Sequence, residues 1–321
     1  MSGTRPQKLI LRNFQSPGDI LMLTAAVRDL HRCYPGRFLT DVRTSCPDLF
    51  LHNPHITPID DHARGVRIID CQYPLIHQSN TASYHFIHGF IDFLNRKLRL
   101  DIRPTEFRGD IHLASSERRL PAPIREKLHG LPFWIICAGG KYDFTIKWWS
   151  RRRYQQVVDH FCGRLVFVQV GESGHYHPPL SGVVDLRGRT TLRELVRLTH
   201  HAAGVVCGVT FLMHLGAAVP QPRSRRSART GVIVAGGREP PHWEAYPTHQ
   251  FLHTVGQLPC CASGGCWRSR TVPLGDGEGH DHPDRLCLHV SNGLPKCMDL
   301  ISAERVCATI ESCLEAAGYQ G

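Results

Sequence analysis

No apolar run in this 321-residue sequence approaches the ~20 residues that a membrane-spanning helix needs. The N-terminal "MSGTRPQK" leads only into "LILRNF", too short for the apolar core of a secretory signal. There is no short-period repeat, which excludes a stacked-repeat architecture. Acidic side chains are the scarcer charge, 28 against 38 Lys and Arg, for a net +10. That balance favours acidic partners: nucleic acid, an anionic membrane surface, or phosphorylated small molecules. Apolar residues are not scarce. At 41% apolar and 21% charged, the chain has the composition of a folded protein, and its length suits two domains. The expected location is the cytoplasm, where thiols stay reduced and clustered cysteines suggest metal ligands before disulfides.

The pattern alternates strands with helices, which argues for parallel α/β sheets. "LILR" (9–12) meets the turn-forming "NFQSPGD", followed by the helical "ILMLTAAVRDLHRCYPG" and the strand "FLTDVRT". "VRIIDCQ" (66–72) reads as a further strand and "SYHFIHGFIDFLNRKL" (83–98) as an amphipathic helix. "RRLPAPIREKLHGLP" (118–132) breaks the rhythm with three prolines and marks a boundary near residue 125. Beyond it come strands at 133–140, 164–171, 182–188 and 204–208, with helices at 151–161, 192–202 and 211–219. The expected domains are 1–125 and 126–301, with a closing helix in 302–321. Two Rossmann-like halves facing each other across a cleft are the predicted architecture. The Arg-rich pieces at 150–154 and 222–230 read as solvated loops or helix starts.

Ligands of open α/β sheets bind beyond the carboxyl ends of strands, against helix N-termini. Three places have that geometry. In "QSPGDILML", Gly18 permits a tight turn and Asp19 enters the first helical turn, either as an N-cap or as a general base. In "GVVCGVTFLMHLGAAV", a strand ends at Gly208, and Thr210 opens a helix carrying Phe211, Met213 and His214. The backbone N–H groups there offer partial positive charge to a phosphate, unless Met213 and His214 are simply core residues. In "AGGKYDFTIKWWSRRRY", Gly139 and Gly140 end a strand, and Lys141 and Lys147 follow as point charges for a diphosphate. Trp148 and Trp149 beside them are core or base-stacking residues.

In order, these motifs resemble glycosyltransferase family 9, the heptosyltransferases of two-domain GT-B fold. The likeness runs through "LILRNFQSPGDILMLTAAVRDLHRCYPGRFLTDV", "TIKWWS" and "DLRGRTTLRELVRLTHHAAGVVCGVTFLMHLGAAVP" (185–220). It implies that Asp19 is the catalytic base and that Lys147 contacts the donor phosphates. It also implies donor contacts near Asp185, Gly188 and the helix start at Thr210 to His214. The implied reaction is inverting transfer of a sugar from a nucleoside diphosphate to a hydroxyl, with heptose and ADP the leading donor. The acceptor is a protein Ser/Thr, a glycolipid or a small molecule. The chain departs from the family at Gly208-Val209-Thr210-Phe211, where an acid or amide usually stands after the strand and a glycine follows the hydroxyl residue. With no Asp-X-Asp pair at a strand end, a Mg²⁺-bridged diphosphate is not indicated, and Lys147 and the helix terminus are expected to offset leaving-group charge.

Five of the 13 cysteines, Cys260, Cys261, Cys266, Cys287 and Cys297, fall in the Gly- and Pro-rich 257–300. A family subgroup that glycosylates autotransporter proteins carries a cysteine-bound metal in a similar segment. Four thiolates around one ion form a closed tetrahedral structural site. The expected ligands are Cys266, Cys287, Cys297 and one of the adjacent Cys260 and Cys261, holding about one iron or zinc per chain. "GDGEGHDHPD" (275–284) reads as a solvated loop. Homo-oligomers are compatible with this reading. The rival readings are a nucleic-acid-binding metalloprotein, which the phosphate-type turns disfavour, and an inactive sugar-nucleotide-binding module.

Overall fold

A computed structural model describes residues 5–120, 122–225 and 228–319, and contains two separate all-parallel sheets. The first has the order β2-β1-β3, from β1 (Gln7–Asn13), β2 (Phe38–Thr44) and β3 (Val66–Asp70). Helix α1 (Pro17–Cys33) crosses from β1 to β2, and α2 (His88–Leu98) packs beside it. Every residue of α1 from Ile20 to Leu30 is buried, including the ion-paired Arg28 and Asp29, so the helix is enclosed on all sides. Arg28 is satisfied further by donating to the carbonyls of Glu106 and Arg108, each at 2.8 Å.

After the short α3 (Ala122–Lys127), the second sheet has the order β6-β5-β4-β7-β8-β9. Its strands are β4 (Phe133–Cys137), β5 (Val166–Gln169), β6 (Val184–Asp185), β7 (Gly204–Gly208), β8 (Thr230–Gly236) and β9 (His249–His253). The central pair, "FWIIC" and "GVVCG", is buried at every position, as expected where helices cover both sheet faces. The helices α4 (Arg151–His160), α5 (Leu192–His201), α6 (Phe211–Ala218) and α7 (Pro241–Glu244) follow. A hairpin of β10 (Val290–Ser291) and β11 (Leu294–Pro295), then α8 (Lys296–Asp299) and α9 (Ala303–Ala316), complete the chain. One apolar core joins α1 and α2 to α6, so the first sheet's helices rest on the second sheet's. A second core lies under α4, α8 and α9. No described helix is long and apolar enough to cross a membrane.

Several elements differ from the sequence expectation. The helix expected over 83–98 begins only at His88, because the Phe86 N–H is used on the Trp243 carbonyl at 2.8 Å. The strand expected over 182–188 is reduced to two residues at the sheet edge. Strands β8 and β9 were not foreseen. The Arg-rich 222–230 is a loop exposed at Arg223, Ser224 and Ala228 but not throughout, and Arg226 and Ser227 lie outside the described residues. Buried Arg229 donates to the carbonyls of Gly216 (3.0 Å) and Val219 (2.8 Å), and Arg225 to those of His201 and Ala202. These arginines finish α5 and α6, the favourable place for cations on a helix. Part of the basic excess therefore serves the fold.

Candidate active site

The loop from β1 to α1 is shaped by Asn13, whose amide nitrogen donates to the Cys71 carbonyl at 3.0 Å and whose amide oxygen accepts from the Gln15 N–H. Ser16 is the N-cap residue but makes no side-chain cap bond. Its hydroxyl instead meets Lys141 Nζ at 3.1 Å, a bond between the two halves of the molecule. Gly18 packs closely on His214: a β-carbon there would sit 3.3 Å from the ring, a tight contact. Asp19 falls at the third helical position, not at the cap. Burial raises its proton affinity above that of an ordinary carboxylate, against the opposing pull of a Ser16 backbone hydrogen bond and of Lys147 and Lys141.

Those lysines lie on the loop after β4. Gly139 has φ 92°, and a side chain there would strike the Tyr176 carbonyl. Gly140 and Tyr176 exchange backbone hydrogen bonds (2.8 and 3.1 Å), which fixes the start of the loop. Trp148 stacks on Tyr176 at 4.3 Å between ring centroids, while Trp149 is core and donates to the Ile301 carbonyl. Gly208 at the end of β7 leaves room for the Lys147 carbonyl, 3.1 Å from where a β-carbon would lie. The ammonium of Lys147 is held 2.7 Å from Glu239 Oε1.

At the N-terminus of α6, Thr210 is the cap residue, yet its Oγ1 is buried with no hydrogen-bond partner. Phe211 is half-buried beside it. Met213 is wholly buried, and both its backbone groups are engaged, the N–H with the Thr210 carbonyl at 3.1 Å and the carbonyl with His249 at 2.9 Å. His214 packs beneath Gly18, with Nδ1 2.8 Å from the Tyr246 hydroxyl and Nε2 3.5 Å from Glu244. Burial drives its pKa well below the usual value, so the ring is neutral. Asp185 ends the edge strand β6, two strands from β4 or roughly 10 Å, and is exposed and forked onto Arg187 (2.9 and 2.8 Å). Gly188, at φ 65°, donates to the Gly171 carbonyl. The structure thus gathers Gly18, Asp19, Lys141, Lys147, Gly208 and His214, and leaves Asp185 and Gly188 apart.

The sequence reading passed over the segment "REPPHWEAY" (238–246) after β8. Burial opposes ionisation of Glu239, but Arg238 and Lys147 outweigh it and keep the group below the ordinary range. Glu244 is the opposite case. Burial raises it well above an ordinary carboxyl, and the nearby charges of Glu239 and Asp19 add to that against the pull of Lys147 and Arg238. The available signal was an Arg-Glu pair directly at the carboxyl end of a buried strand, the ligand-facing edge of such a sheet. A surface cavity of about 460 Å³ lined by Arg152, Arg153, Asn292 and Ser302 shares no residue with this cluster.

The five cysteines gather around the end of β8. Cys261 Sγ and the Cys297 side chain both lie over Gly237, at 3.1 and 3.3 Å from a notional β-carbon, and the Cys266 N–H donates to the Gly237 carbonyl. Cys287 is half-buried, its thiol directed to the His289 carbonyl at 3.3 Å. Burial pushes the Cys297 thiol up to about 12, with Cys266, Cys287 and Cys260 close enough to add to it. Among the described residues, however, no three His, Cys, Asp or Glu side chains are arranged to hold an ion. The expected metal segment is therefore a cluster of thiols without an assembled ligand set. The loop 275–284 is ordered by the buried Arg270, which pairs with Asp276 at 2.7 Å and with Asp281.

The sequence model of glycosyltransferase family 9 (heptosyltransferase) matches residues 49–223, more than half of the chain. No curated protein matches the sequence. Among solved structures, the family 9 glycosyl transferase of Veillonella parvula is similar over 97% of this chain and 98% of its own, at 14% identity and TM-score 0.63. E. coli ADP-heptose LPS heptosyltransferase II is similar over 96% and 99%, at 14% identity and TM-score 0.55. The iron-containing dodecameric glycosyltransferase TibC of enterotoxigenic E. coli is similar over 97% of this chain and 77% of its own, at 17% identity and TM-score 0.60. At these identities the likeness is one of fold, a pair of parallel α/β sheets.

Proposed function

The chain belongs to glycosyltransferase family 9, and from that premise we propose that it transfers heptose from ADP-heptose to an acceptor hydroxyl with inversion. The observation that carries this reading is the pairing across the two halves: Asp19 on α1 faces Lys141 and Lys147 from the second sheet. In the proposed step Asp19 takes the acceptor proton as the acceptor oxygen bonds to the anomeric carbon. The bond from that carbon to the β-phosphate oxygen breaks, and ADP leaves with both electrons. Lys147, Lys141 and the N–H groups opening α6 oppose the charge that develops on the diphosphate, a preorganised arrangement of the kind that dominates many enzymic rate enhancements. The orphaned Thr210 Oγ1 is a ready donor to a phosphate oxygen. We assign 1–125 to the acceptor, 126–301 to the donor, and 302–321 to closing the fold.

The thiol cluster belongs to the same reading. Soft thiolates suit iron or zinc, and TibC is described as iron-containing. We propose one such ion held by Cys266, Cys287, Cys297 and one of Cys260 and Cys261, as a structural cross-link that does not touch the reacting groups. TibC is also dodecameric, and self-association fits this proposal. The acceptor is a hydroxyl of a protein, glycolipid or small molecule.

A melting screen with ADP-, GDP-, UDP- and dTDP-sugars tests the donor. At a hundredfold excess over Kd, ADP-heptose should raise Tm by about 5 °C. Silence with every sugar nucleotide, together with salt-sensitive binding of an oligonucleotide, would shift the reading to nucleic acid.

A further inference from the structure

Lys147 is a flexible cation at a loop end, yet it is held in one place. Its ammonium lies 2.7 Å from Glu239 Oε1, and Glu239 is only 2% exposed against 21% for the lysine. The same oxygen receives Arg238, whose guanidinium sits over the Phe144 ring at 4.9 Å and the Trp267 ring at 5.4 Å. Two cations on one carboxylate leave a net single positive charge, and the other oxygen, Oε2, has no partner.

Arg238 is fixed in turn by the Cys-rich segment. The segment "GGCW" (264–267) runs along it: Cys266 N–H donates to the Gly237 carbonyl and Trp267 N–H to the Arg238 carbonyl, both at 3.2 Å. A side chain at Gly265 would strike the Arg238 carbonyl. Arg238 Nε donates to the Arg268 carbonyl at 2.7 Å. Trp267 holds a left-handed backbone, φ 55°, which is unfavourable for a bulky residue. Asn80 secures it from the first half of the molecule, accepting from Trp267 Nε1 (3.0 Å) and from Gly265 N–H (2.9 Å).

We propose that Glu239 and Arg238 are positioning residues for Lys147, and that the 264–267 segment is the splint that sets them. Through this chain the cysteine cluster acts on the donor-phosphate lysine, not only on stability. The inference rests on the assignment of Lys147 to the donor phosphates.

The test is a double-mutant cycle of Glu239→Gln and Lys147→Ala, with Glu239→Asp as a variant that keeps the charge but shortens the reach. Glu239→Gln should lower kcat for ADP-heptose about 10- to 100-fold, the cost of misplacing a catalytic group by about 1 Å. KM should change by no more than about threefold, because binding and turnover respond separately to misplacement. The double variant should be no slower than Lys147→Ala alone, and Glu239→Asp should recover part of the loss. A second readout needs no sugar nucleotide: acetylation of Lys147, followed by mass spectrometry, should rise several-fold in Glu239→Gln as the ammonium leaves its carboxylate. Multiplying kinetic losses, or unchanged Lys147 labelling in a folded variant, would reduce Glu239 to a structural ion pair. If the wild type turns over no sugar nucleotide, the proposed function fails, and the labelling comparison alone still decides the positioning claim.

Discussion

Replacing Asp19 with alanine should lower turnover by about a thousandfold, in the middle of the range for a lost general base, while the protein melts at or near its normal temperature. The retained stability follows from the structure. The N-cap is Ser16, so the substitution removes no cap, which would otherwise cost about 1 kcal/mol. Loss of an acid from the first helical turn costs only about 0.3–1 kcal/mol. Against that, burial raises the pKa of Asp19, so the folded protein binds this proton more tightly than the unfolded chain. Its ionised form is thus a cost to folding above the ordinary carboxylate pKa, absent in acid, and alanine relieves it at neutral pH. The same shift sets the pH profile: the acid limb of kcat/KM should lie above the usual Asp range, since the base form is the active one. Stopped-assay kinetics with calorimetric melting check both. Retained turnover in Asp19→Ala would retire the base assignment.

Purified protein should carry about one iron or zinc per chain, and Cys287→Ser should release it, lower Tm and expose 257–300 to protease. The apolar anchorage of the segment is confined to Cys261, Trp267, Cys297 and Met298, with the stretch between them mostly exposed, and a closed thiolate site supplies folding energy where a core does not. Burial raises the thiols of Cys260, Cys266, Cys287 and Cys297, the last up to about 12, so binding must expel protons and should weaken as pH falls. Turnover should fall with metal loss, because the splint at 264–267 touches Arg238. Elemental analysis decides. A metal-free protein of equal stability and activity would leave ordinary thiols, with Arg270 and its aspartates ordering their own loop.

How far the sequence revealed this site depends on the element. The turn carrying Gly18 and Asp19 was readable because turn formation, helix entry and apolar periodicity coincide within a few residues. The loop with Lys141 and Lys147 was marked by paired glycines at a strand end. Strand β8 was hidden by the arginines before it, of which half-buried Arg225 and buried Arg229 cap α5 and α6. Strand β9, "HQFLH", is an edge strand with mixed polarity, and it lacks the apolar run of the central strands. Missing both strands meant missing Arg238, Glu239 and Glu244, which follow β8. A buried carboxylate beside two cations is a tertiary fact, and its partner Lys147 lies more than ninety residues away in the chain.

The most direct test is release of ADP from ADP-heptose by the wild-type protein, supplied with hydroxyl acceptors such as a Ser/Thr-rich peptide. On the proposed function, ADP forms over many turnovers, in equal amount to heptose transferred or, more slowly, hydrolysed. Tight binding of ADP-heptose with no ADP released beyond one equivalent would contradict it and leave an inactive binding module.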